Sequence, residues 1–236
     1  MRKWVLMLVL GLLSTSILAL ADTVSIEFNN ANGSQSYDGV YVYPYSVTVN
    51  GTSTVSMTCD TFPYEIQNNE SWTASVINVS SLTTSNVSQT LFGNPSSSLY
   101  NSSITAAGYV TLYQEAAWLF LQLSTHPSDV IGINFAIWNL LYPSSSTYPG
   151  SGSGGTSDPT SSAYWIAQAQ SASSSFTSSE FNGLAIYTPV AGTASGYPSG
   201  QTTPQELLAP VPEPGTLALL GTGLVSLAGF IRKRFS

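Results

Sequence analysis

Apolar and polar residues alternate through the first half of the chain. The stretch "TVSIEF" (23–28) has this period, and in "GVYVYPYSVTVNG" (39–51) Val40, Val42, Val47 and Val49 interleave with Tyr and Thr. A period of two is that of a half-buried strand, so both stretches predict strands, and Asn50-Gly51 predicts a hairpin turn. "STVSMTCDTF" (53–62) is then the partner strand, with Cys59 near its end, and "SWTASVINVSSL" (71–82) is a further strand. Pro44 and Pro63 predict edges or bulges. Near Thr105 the period changes: Tyr109, Leu112, Tyr113, Ala116, Phe120 and Leu123 recur at helical spacing. A second helix is predicted to open at Ser128 and stop before Pro143, with Ile131, Phe135, Trp138 and Leu141 or Tyr142 as its buried stripe. After the Ser/Gly-rich loop 143–162, a third helix is expected from about Ser161 to Phe176, and "GLAIYTPV" (183–190) returns to strand. Strands, a helical insert, then strands make an α+β plan: an antiparallel β-barrel or sandwich with an inserted helical subdomain.

The two ends read differently. "MRKWVLMLVLGLLSTSILALAD" has a basic start (Arg2, Lys3), an apolar core from Trp4 to Leu18 and the small-x-small triplet Ala19-Leu20-Ala21. That order predicts a signal helix over 1–21, removed before Asp22. At the other end, "VPEPGTLALLGTGLVSLAGFIRKRFS" breaks at prolines, runs apolar from Thr216 to Ile231 and closes on Arg232, Lys233 and Arg234. An apolar run of about 16 residues is marginal for a permanent span, and the basic cluster would hold the cytoplasmic side. Val211-Pro212-Glu213-Pro214, the glycine-studded apolar helix and the terminal basic cluster together resemble the PEP-CTERM sorting signal. The resemblance implies export, transient anchoring in the inner membrane of a Gram-negative-type envelope, processing by an exosortase, and delivery to the cell surface or extracellular matrix. The division expected is a signal peptide over 1–21, an ectodomain over 22–191, a stalk over 192–210 and a sorting tail over 211–236.

Charge narrows the partners. All five Lys and Arg lie at positions 2, 3, 232, 233 and 234, whereas all 12 Asp and Glu lie between Lys3 and Arg232. Such a surface repels nucleic acid and anionic lipid. No metal-ligand spacing and no glycine-rich phosphate cradle is present, so neither a metal nor another cofactor is expected. The expected partners are the export machinery and exosortase, and a matrix or surface amine or carbohydrate ligand.

Cys59 is the chain's single cysteine. "MTCDTF", "YQEAAWL" and "INFAIWNLL" follow one another on a predicted strand and two predicted helices. Together, over about 41–142, they resemble the thioester domains of bacterial surface adhesins. In that family a cysteine and a glutamine carboxamide form an internal thioester, which acylates an amine on a partner. The resemblance implies adhesion or matrix attachment. It sets Cys59 as the thioester sulfur, Asp60 as its acidic neighbour, Gln114 as the middle-block glutamine and Trp138 as the closing tryptophan. The partner position is occupied by Asn134 where the family has glutamine. Asn is shorter by one methylene, about 1.5 Å of reach.

Other roles for Cys59 stay open on the sequence alone: a buried inert thiol in a structural, exopolysaccharide-associated protein, an intermolecular disulfide, or a catalytic thiolate. A cysteine hydrolase would need His126, the sole histidine, as base and Asp129 to orient it. "TCDT" resembles no cysteine-protease signature, and the expectation is that the protein is not an enzyme.

Overall fold

A computed structural model describes residues 23–31, 36–37, 39–143, 155–195 and 203–212. The alternating stretches form β1 (Thr23–Asn30), β4 (Tyr45–Val49), β5 (Ser53–Cys59) and β6 (Glu70–Asn78), with a two-stranded ribbon of β2 (Ser36–Tyr37) and β3 (Val40–Tyr41) between β1 and β4. Three helices follow: α1 (Ala106–Leu123), α2 (Val130–Leu141) and α3 (Ser162–Ser173). The chain then returns to β7 (Leu184–Pro189) and β8 (Leu207–Pro210).

Six strands close into an antiparallel barrel in the order β1-β4-β5-β8-β7-β6, with β6 back against β1. Of the two sheet architectures the alternation allows, the barrel is the one adopted, and closure leaves none of the six with an unpaired edge. The β4–β5 turn matches its sequence signal. Asn50 and Gly51 both have left-handed φ (52° and 66°), and the Thr52 N–H donates to Val49 O at 3.2 Å. Register pairs Tyr45 with Met57 and Val47 with Val55. The lumen is filled by Ile26, Val47 and Met57, all fully buried, together with Phe28 and Trp72.

The helices lie between β6 and β7 in sequence, α1 packs on β8, and all six residues of β7 are buried. Helix α2 is buried almost all round, because the barrel, α1 and α3 enclose it. Its expected stripe is therefore too narrow: Gly132, Ile133, Asn134, Ala136 and Ile137 are buried as well, while Ile131 is only partly so. Its cap is Asp129 rather than Ser128, since the first intrahelical bond runs from the Ile133 N–H to Asp129 O.

The stalk expected over 192–210 differs from what forms. Residues 207–210 are the strand β8, inserted between β5 and β7, and they complete the barrel. Four apolar-rich residues after a Ser/Thr/Gly/Pro stretch carry no readable period, yet unpaired backbone on β5 and β7 needs a partner there. The expected signal helix (1–21) and the apolar sorting helix, with Glu213, Pro214, Arg232, Lys233 and Arg234, lie outside the described residues. Among the described residues no helix is long and apolar enough to cross a membrane.

Candidate functional site around Cys59

Strand β5 delivers Cys59, fully buried, to the end of the barrel. The Tyr45 hydroxyl lies 3.4 Å from its sulfur and also donates to Tyr41 O at 2.8 Å. From α2 the Trp138 indole N–H donates to Cys59 O at 2.9 Å. Burial pushes the Cys59 thiol up to about 12; hydrogen bonding with Tyr45 and Trp138 opposes this and is outweighed. At neutral pH the sulfur is therefore a protonated thiol, and a thiol is a poor nucleophile.

Asn134, also fully buried, sits one turn before Trp138. Its Oδ1 accepts from the Thr58 hydroxyl at 2.6 Å and from the Tyr43 N–H at 2.9 Å, while its Nδ2 has no partner among the described residues. The structure thus brings α2 and the end of β5 together. The side chains, however, divide between two faces. Successive residues on a strand point oppositely. Cys59 takes the face of Met57 and Tyr45, and Thr58 takes the other, where it holds Asn134. The carboxamide oxygen is thus engaged by Thr58 and Tyr43, and the sulfur by Tyr45.

Asp60 is buried too, and it belongs to a second constellation that the sequence did not suggest. Its Oδ1 accepts from the Thr61 hydroxyl at 2.8 Å, and its N–H donates to Glu206 O at 3.2 Å. Glu206, fully buried just before β8, accepts at Oε1 from Tyr113 of α1 (2.5 Å). Its Oε2 accepts from the Leu91 N–H (2.7 Å) and from the Thr188 hydroxyl. Burial raises the proton affinity of both carboxyls, and repulsion from Glu206 raises that of Asp60 further. Three donors oppose that rise at Glu206, so Asp60 is the more strongly raised of the two. Asp60 Oδ2 makes no hydrogen bond of ordinary geometry among the described residues. No signal in the sequence marks Glu206, because it stands in a stretch without periodicity.

Gln114 is half-buried on α1, and none of the hydrogen bonds at Cys59 or Asn134 involves it. His126 Nδ1 lies 2.9 Å from the Thr125 hydroxyl and 3.3 Å from Gln122 O, and its ring packs edge-on to Trp165. Asp129 accepts from Ser128 at the start of α2. Trp138, which binds Cys59, is nine residues further along that helix, roughly 13 Å at 1.5 Å per residue. His126 and Asp129 are therefore placed at one end of α2 and Cys59 toward the other. Among the described residues no group of three or more His, Cys, Asp or Glu could hold a metal ion.

Beside Cys59 a cleft of about 790 Å³ opens at the barrel mouth between residues 39–41 and the loop 62–68, with Tyr45, Trp138 and Gln205 among its lining side chains. The fold and site together define a barrel-and-helix domain with a buried thiol beneath an open cleft. Residues 210–234 match the PEP-CTERM protein-sorting motif, which implies an exported, transiently membrane-anchored substrate of an exosortase. Comparison with curated proteins and with solved structures brings no match.

Proposed function

We propose that this is a non-catalytic domain delivered by its sorting tail to the cell surface or extracellular matrix, where it associates through non-covalent contacts. In this reading Cys59 is a structural thiol on a scaffold that resembles a thioester domain, and Asn134 is a strut between α2 and β5. One observation supports it: the Asn134 carbonyl is taken up by the Thr58 hydroxyl and the Tyr43 N–H, and Thr58 and Cys59, as successive strand residues, leave β5 on opposite sides. A thioester forms only if the sulfur reaches the carboxamide carbon, and a misplacement near 1 Å already costs about 10²-fold in a positioned reaction. Crossing to the opposite face of a strand is a larger error than that. The protonated state of the thiol adds to it.

Mass spectrometry of the purified protein tests the reading. The expected result is that the peptides holding Cys59 and Asn134 have their full, separate masses. Iodoacetamide should label Cys59 only after denaturation. A mass lower by one ammonia, with Cys59 blocked even when unfolded, overturns the proposal in favour of covalent adhesion.

A further inference from the structure

The cleft beside Cys59 carries features that the packing of the barrel does not explain. Its volume, about 790 Å³, is that of a small-ligand site. Its floor includes Tyr45 and Trp138, both buried, and Phe62 packs against Trp138 with ring centroids 5.0 Å apart. On the rim Tyr41 is 56 % exposed, a large ring open to water, while its carbonyl is fixed from behind by the Tyr45 hydroxyl. Gln205 is 93 % buried against the cleft, being 7 % exposed. Its Nε2 donates to Tyr64 O, which sets the amide's orientation, and its Oε1 finds no donor among the described residues. A buried acceptor without a partner is costly, and buried polar groups are rarely left so.

We propose that this cleft is a binding site for a neutral saccharide. Sugar C–H faces pack on aromatic rings, and a sugar hydroxyl supplies the donor that Gln205 Oε1 lacks. Charge selects within the class. No Lys or Arg occurs between Lys3 and Arg232, and Glu65 stands on the rim, so uronate, sulfated or phosphorylated glycans meet no counter-charge. A cationic ligand is disfavoured by the floor, which offers a neutral amide and aromatic rings but, among the described residues, no buried carboxylate. The inference rests on the non-covalent reading above and names the ligand class for it.

The test uses the full-length protein in a detergent without a sugar headgroup, titrated calorimetrically with cello-, malto-, xylo- and mannohexaose and with oligogalacturonate. At least one neutral hexasaccharide is expected to bind and oligogalacturonate to show no heat. Tyr41→Ala, at an exposed position that leaves the fold intact, is expected to weaken binding about tenfold or more. Gln205→Leu is expected to do the same. Absence of binding to every neutral hexasaccharide at millimolar concentration overturns the proposal, as does unchanged affinity in Tyr41→Ala or equal affinity for oligogalacturonate. If the thiol is free and the mass full while no hexasaccharide binds, the saccharide falls and the non-covalent reading stands. A missing ammonia with Cys59 blocked removes the reading on which the saccharide rests.

Discussion

At Asn134 the difference from the thioester family is a single methylene, and the sequence frames it as a question of reach. The structure makes it a question of direction, because Thr58 and Cys59 leave β5 on opposite sides. Asn134→Gln is therefore expected to leave Cys59 fully alkylatable in denaturant, with the mass unchanged apart from the added methylene. An ammonia deficit in that variant would show that length alone was lacking. Cys59, Asp60 and Trp138 were legible as candidates because rare residue types stood in an ordered series of motifs. Gln205 and Glu206 were not. Both sit in a Ser/Thr/Pro-rich run with no hydrophobic period, and only barrel closure buries them.

Among the elements, α2 is the one on which the site depends. It approaches the start of α3 so closely that a Cβ on Gly132 would lie 2.6 Å from Thr160 O and 3.3 Å from the Trp165 ring. Gly132→Ala is expected to destabilise the protein by about 1–3 kcal/mol, the usual range for overpacking, as read by thermal or urea denaturation. The slight gain in helix propensity from alanine does not offset backbone overlap. At the other end of the contact, Trp138→Phe keeps most of the ring volume but leaves Cys59 O without its side-chain donor. A loss of about 1–3 kcal/mol is expected by the same measurement, together with faster iodoacetamide labelling of Cys59 in the native state. The long helices and the β4–β5 hairpin were readable from period and turn chemistry. Strand β8 escaped because four residues cannot display a period, and its pairing is dictated by distant strands.

For the molecule as a whole, the buried Asp60–Glu206 pair sets how stability responds to pH. In the unfolded chain both carboxyls lose their protons near pH 4. In the folded protein burial raises both pKa values, with mutual repulsion adding to that of Asp60, so above pH 4 the native state binds more protons than the unfolded one. Stability from this source is full below the unfolded pKa and declines as pH rises through the folded values. The melting temperature is expected to be highest in mild acid and lower at pH 8, and Asp60→Asn is expected to flatten that decline. A melting temperature that climbs from pH 5 to pH 8 in the parent protein contradicts the assignment.

Strand β8 ends at Pro210, and the sorting motif begins at that same residue; the Val211 N–H still donates to Gly183 O at 2.7 Å. During secretion from the amino end, the strand that fills the seam between β5 and β7 thus emerges after the other five. Proteolysis that strays a few residues upstream of the motif would unpick the fold rather than merely free it.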